Sequence, residues 1–285
     1  MAQAILQGIL LGGVFAVVGI GMSMIFGIVK LTNLAHGDFL VLGAYFSALF
    51  SKLFGLSPLL TLIIVLPLMF LVGYGLQSGL INRVIGKGDE PPLLVTFGLS
   101  FILQNLLLLI FSADPQMLRA GYRLSSILIT SNFKIPVLYL INFIVSILVI
   151  ALLAVFLKYS YTGKAIRAVS DDNTAAELMG VNVKHSYGIA MGIATATAAA
   201  AGIVIGTTFS FYPTTGSEYL LIAFGVVVLG GMGSIPGTLV GGLVFGLARA
   251  IGSQVFGTNY QMMIGYIVLL LMLIIRPQGL FSRSR

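Results

Sequence analysis

The polar residues that could do chemistry in this chain are few, and most fall into three clusters. The first is Asn33-Leu34-Ala35-His36-Gly37-Asp38, preceded by Lys30 and Thr32. Hydrogen-bonding side chains crowd here between two apolar runs. Gly37 permits a tight backbone turn. Asp38 is placed to cap the following helix by accepting its free N–H groups. His36 titrates near neutral pH when unperturbed, but one His and one Asp make a poor metal site, so no metal is expected. The cluster reads either as a structural break and cap or as part of a transport path or gate.

The second cluster is the polar loop 158–186, which holds seven of the 23 charged residues. Two short helices are expected in it, the first over Gly163 to Val169. Ser170 is the expected N-cap of the second, with Asp171 and Asp172 in its first turn and Gly180 just past its end. Ala175, Leu178 and Met179 then share one face by i, i+3, i+4 spacing, while Asp172, Asn173 and Glu177 stay polar. Such a helix suits insertion into a partner's groove. The alternative is a solvated helix lying on the membrane.

The third cluster follows Val226-Val227-Val228-Leu229 and comprises Gly230, Gly231, Met232, Gly233, Ser234, Ile235, Pro236 and Gly237. A break of this kind is tolerated in a membrane only where protein or a cavity shields the freed backbone groups. It reads either as a tight turn or as a broken helix at a substrate path. Two isolated charges remain. Glu218, after Pro213 and Gly216, is expected at the outer surface. Arg249 lies inside an apolar segment and is expected to snorkel to an interface. A functional role is the other reading of an intramembrane arginine.

The elements that must position these residues are helices in a bilayer. Only 8% of the 285 residues are charged, 58% are hydrophobic, and the mean hydropathy is +1.09. A soluble domain carries about a quarter charged residues, so a soluble enzyme and a disordered chain are both excluded. Nine apolar segments can be drawn, at about 5–29, 38–53, 58–82, 91–113, 135–157, 187–211, 219–233, 236–256 and 259–276. Most exceed the roughly 20 residues that a crossing helix needs, and long runs are not the pattern of a β-barrel. The second and seventh are short and read as half-spans or a broken helix, which leaves eight to ten crossings. The fold class is all-α, one transmembrane domain over 1–285. There is no cysteine and hence no disulfide framework.

The net charge of +7 lies in loops and at the C-terminus. A positive-inside bias explains it, and no nucleic-acid partner is expected. Loop 158–186 and the tail, with Arg276, Arg283 and Arg285, fall on one side, taken as cytoplasmic. Loop 114–134 falls outside, although Arg119, Arg123 and Lys134 run against the bias. The stretch Met1 to Leu11 has no basic residues, so the first span reads as retained rather than as a cleaved signal. Small residues recur at every fourth position: Gly188, Gly192, Ala196 and Ala200; Ala198, Gly202 and Gly206; Gly237 and Gly241; Gly242, Gly246 and Ala250. This spacing lets helices approach closely.

No P-loop is present. Before the two Gly-Lys pairs, Gly86-Lys87 and Gly163-Lys164, Ile81 and Lys158 stand where the motif needs glycine. The carboxylate set of a proton-coupled pump is also missing. Energy for uphill transport must come from elsewhere, and no catalytic residue is expected.

In these clusters, and in the ending Arg276-Pro277-Gln278-Gly279-Leu280-Phe281, the chain resembles the LivH-type permeases of branched-chain amino acid ABC importers. The order and spacing of Asn33–Asp38, Gly163–Gly180 and Val228–Gly237 carry the resemblance over nearly the whole length. It implies a type II-like importer fold and a permease subunit that moves branched-chain amino acids into the cytoplasm. ATP and magnesium would be used by partner subunits and no cofactor bound by this chain. The implied partners are a second, LivM-type permease, two cytoplasmic ABC ATPases and a periplasmic or lipid-anchored binding protein. The implied setting is the inner or plasma membrane of a bacterium or archaeon. Gly163, Arg167, Asp171, Asp172, Ala175, Glu177, Leu178 and Gly180 would couple to an ATPase. Asn33, His36, Gly37, Asp38, Gly230, Gly231, Gly233, Ser234 and Pro236 would line the substrate path or gate. The chain departs from many of its relatives at Ile222, where they carry a basic residue before the Ala223-Phe224 pair. Neighbouring families carry urea or short amides, so the resemblance does not fix the substrate.

Overall fold

The computed structural model describes residues 1–88, 90–122, 125–130, 133–276 and 279–281. Arg123, Pro277, Gln278, Arg283 and Arg285 lie outside the described residues. Eleven α-helices occur among those described: α1 (Ala2–Val29), α2 (His36–Phe54), α3 (Pro58–Gly79), α4 (Glu90–Phe111), α5 (Val137–Tyr159), α6 (Tyr161–Asp171), α7 (Asn173–Leu178), α8 (Val183–Thr208), α9 (Gly216–Gly230), α10 (Ile235–Phe256) and α11 (Gln261–Ile275). All but α6 and α7 contribute to the nine segments long and apolar enough to cross a bilayer. The chain is a multi-pass membrane protein. Its segments are helical because backbone groups in hydrocarbon must be satisfied within the segment.

α1 and α8 form the centre. In each, 83% of the most apolar window is buried inside the protein, against 17% for α4 and 6% for α11. The peripheral helices expose aliphatic side chains such as Ile63, Leu71, Leu109, Leu152 and Ile274, as a lipid-facing surface does. The small-residue seams lie at the closest crossings. Gly242 and Gly246 of α10 rest on Ala16 and Gly12 of α1, and Gly202 of α8 rests on the Leu40 carbonyl of α2. Gly188 and Gly192 seat Tyr74 and Phe70 of α3.

One face of the bundle, the lower, carries α6 and α7. The chain's last described residues join it, because the Leu280 and Phe281 amides donate to the Leu229 and Gly230 carbonyls, both at 3.0 Å. Loop and tail therefore share a side, and α1 ends there too, which puts the N-terminus on the opposite, upper face. The upper face carries an antiparallel hairpin, β1 (Ser126–Thr130) and β2 (Phe133–Pro136), which the apolar pattern did not announce. Gln116 and Phe211 exchange backbone hydrogen bonds at 2.8 and 2.9 Å.

The two short segments begin inside the bundle. The ring of His36, first residue of α2, donates from Nε2 to the Val18 carbonyl at 2.9 Å, and Val18 is past the middle of α1. Residues 30–35 thus climb back from the lower end of α1 before α2 starts. α9 has only 15 residues, about 22 Å of helix. Its first residue, Gly216, packs against Gly37 and Asp38.

Arg249 does not snorkel. It is 5% exposed, with its guanidinium 4.7 Å from the centre of the Phe15 ring. The α1–α10 seam brings the two helices too close for the side chain to escape, so the cation settles on an aromatic face.

Candidate functional site

The first candidate site is the lower face. α6 runs from Tyr161 to Asp171, longer than the expected Gly163–Val169. Ser160 caps it, accepting from the Gly163 amide at 2.8 Å. Gly163 presses on Leu157 and the Phe156 carbonyl, leaving no room for a side chain. Ile166 and Val169 are buried, and Arg167 donates to the Lys158 carbonyl at 3.2 Å. The helix is thereby fixed to the end of α5.

The cap of the next helix is Asp172, not Ser170. The Asp172 carboxylate accepts from the Thr174 and Ala175 amides at 2.8 and 3.0 Å. Because α6 continues through Asp171, Ser170 is still helical and cannot take the extended cap conformation. Its hydroxyl instead donates to the Gly27 carbonyl at the end of α1, at 2.6 Å. Gly180 follows α7 with φ of 83°, as a residue past a helix end does. Leu178 and Met179 are 83% and 85% exposed, and Asp171, Asp172, Ala175 and Glu177 are exposed around them. Ala176 alone of α7 is buried. Glu177 and Gly180 also border a cavity of about 560 Å³ with Asn82, Asn173, Lys184 and Tyr187.

Gly230, Gly231, Gly233, Ser234 and Pro236 form the turn from α9 to α10, on the same lower face. Gly231 and Gly233 have φ of 100° and 82°, and the Ser234 hydroxyl caps α10 by accepting from the Gly237 amide at 3.1 Å. Gly233 touches Gly27. Gly233 and Pro236 line a cavity of about 400 Å³ together with Arg167 and Ser170. The coupling candidates and this turn are therefore neighbours.

The second candidate site lies in the interior. Asn33 accepts from the Ala35 amide at 3.0 Å, and its amide points at the Met191 sulfur, 3.7 Å away. The Asp38 carboxylate is 2% exposed and does not cap α2, whose cap position, Ala35, offers no side-chain acceptor. It reaches across to α4 and accepts from Ser100 at 2.5 Å and Gln104 at 3.0 Å. Gly37 makes no left-handed turn: it is helical, and its lack of a side chain lets α2 meet the Gly216 carbonyl at the start of α9. Gln104 links the cluster to α9 through the Ser217 hydroxyl at 3.4 Å.

Ser100 and Gln104 were not singled out from the sequence. The signal was present: Thr96, Ser100 and Gln104 recur every fourth residue in a charge-free run. That spacing is one polar stripe on an apolar helix. Thr96 completes it by accepting from the Leu34 amide at 3.3 Å.

A family described as branched-chain amino acid transport system, permease component, matches residues 4–275. The branched-chain amino acid permease protein BraD of Pseudomonas aeruginosa is 30% identical, over 99% of this chain and 95% of its own. LivH of Escherichia coli is 29% identical over the same shares, and a probable LivH of the archaeon Methanocaldococcus jannaschii is 25% identical over 98% of this chain and 92% of its own. No solved structure matches. With the match running through both sites and all nine apolar segments, the chain belongs to the family of permease components of branched-chain amino acid transport systems.

Proposed function

We propose that this chain carries branched-chain amino acids into the cytoplasm as one of two permeases of an ABC importer, and that the lower face is cytoplasmic. A LivM-type permease pairs with it, and a binding protein delivers substrate from outside. Two ATPases hydrolyse magnesium-ATP below. The carrying observation is α7, which turns Leu178 and Met179 outward while Ser170 on the adjoining helix grips the end of α1. An apolar helix tip on a polar face is a docking element, and its anchor makes it a lever. ATPase closure pushes α6 and α7 against the Gly27–Gly233 contact, and the glycine seams let α1 and α10 shift. The path opens alternately at Asn33–Asp38 and at the Gly230–Pro236 turn.

Uptake in cells that hold the whole gene set tests this reading. Labelled leucine should enter, isoleucine and valine should compete, and urea should not. Competition by urea with none by isoleucine would overturn the substrate class.

A further inference from the structure

The cavity of about 400 Å³ beside the Ser170–Gly27 bond is amphipathic. Met24 and Ile28 of α1, Leu157 of α5 and Ile166 of α6 line it and are buried. Lys158 and Arg167 also line it, and both are exposed, so the cations stand at its rim. Among the described residues neither cation forms an ion pair, and no carboxylate lines the cavity. One nitrogen of Arg167 donates to the Lys158 carbonyl, and a guanidinium has further N–H donors to give. The Lys158 ammonium lies 5.1 Å from the centre of the Tyr159 ring, at the surface.

The flanking residues fix the depth of this cavity in the bilayer. Lys158 belongs to the last turn of α5, a membrane span, and the neighbouring Tyr159 and Tyr161 are 66% and 85% exposed. Exposed tyrosines and basic side chains at the end of a span mark the headgroup level. From there the cavity reaches Ala154 on α5 and Met24 on α1, each about 7 Å along its helix from the end and so within the acyl region. The volume exceeds the roughly 150 Å³ that admits a benzene ring. Two cations at phosphate level above an apolar hollow match one occupant. A zwitterionic headgroup would bring a cation of its own to Lys158 and Arg167. Free phosphate would leave the apolar wall unused, and an apolar helix of a partner would leave both cations unpaired.

We propose that this cavity binds an anionic phospholipid, with its phosphate held by Lys158 and Arg167 and the start of an acyl chain lying on Met24, Ile28, Leu157 and Ile166. Basic pockets between spans recognise lipid headgroups in this way. Gly27, Ser170 and Gly233 border the same cavity, so the lipid braces α6 against the end of α1.

The chain has no cysteine, so single cysteines report on the site. Ala154→Cys lines the cavity, and Val155→Cys, at a side chain 54% exposed, is the comparison outside it. The complete importer is stripped of lipid in a nonionic detergent, and maleimide labelling of this chain is read on a gel. Palmitoyl-oleoyl phosphatidylglycerol, phosphatidylcholine with the same chains, or inorganic phosphate is then added. Phosphatidylglycerol should slow labelling at position 154 and not at 155, and the other two should slow neither. Adding Lys158→Gln should raise the phosphatidylglycerol concentration needed by roughly tenfold, as loss of one charge-assisted contact does. Equal protection by phosphatidylcholine would overturn the inference, because the headgroup would then not be selected. Protection by phosphate would overturn it in favour of a simple anion site. So would protection that survives Lys158→Gln unchanged, or a position 154 that is unreactive without lipid or equally reactive with phosphatidylglycerol.

Discussion

The Ser170 hydroxyl donates to the Gly27 carbonyl at 2.6 Å, joining a surface helix to the last turn of α1, one of the two central spans. Gly27 is among the final carbonyls of α1, and Lys30, the residue after the helix, turns left-handed at φ 56°. A carbonyl there has no partner further along the helix. Ser170→Ala removes its donor at a cost of about 1 kcal/mol to the folded state. The expected result is an importer that assembles and hydrolyses ATP but moves less substrate per ATP. That ratio, measured in vesicles, is the check; an unchanged ratio would show that the bond carries no motion.

Exposed apolar tips predict a docking defect without a folding defect. Leu178→Asp and Met179→Asp add charge where both side chains are already in solvent, so the permease itself should keep its thermal stability within about 0.5 kcal/mol. Co-purification with the ATPases should fall sharply, as truncation of a contact anchor does. Gly180→Val should have a milder effect of the same kind, since φ of 83° strains a β-branched residue.

Asp38 supplies the acceptor for two donors on α4. Asp38→Ala leaves the Ser100 hydroxyl without its acceptor and Gln104 with only Ser100 and Ser217, and an unsatisfied buried group costs about 1–3 kcal/mol. Asp38→Asn keeps one acceptor oxygen and should lose less. Thermal denaturation in detergent should rank them wild type, Asn, Ala. Equal melting of all three would mean that the carboxylate does not hold α2 to α4.

Gly37 and Gly98 offer a matched contrast. A side chain on Gly37 meets the Gly216 backbone, whereas one on Gly98 meets nothing within 4 Å. Gly37→Val should destabilise by at least the roughly 1–3 kcal/mol of an overpacked core. Gly98→Ala should be neutral or slightly stabilising, because alanine favours the helix by up to about 1 kcal/mol. The two melting temperatures decide it.

Much of this architecture can be read in the residues, and the parts that cannot have physical causes. Long apolar runs mark all nine segments, and four-residue small-residue steps mark the α1–α10 and α2–α8 crossings. Hydropathy measures the length of a segment but not its depth. That is why α2 and α9 read only as short. Ser170 and Asp172 are both good caps, so the sequence alone does not say where α6 stops. Arg249 reads as a snorkelling cation because nothing local reveals that Phe15, 234 residues away, lies under its guanidinium.

The central claim is that this chain moves substrate only when partner ATPases drive it. The most direct test is leucine accumulation in vesicles that contain this chain with its partner permease, both ATPases and the binding protein. ATP supplied on the lower face should drive accumulation above the outside concentration, and its removal should stop it. Equal leucine flux through vesicles holding this chain alone, without ATPases or ATP, would contradict the account.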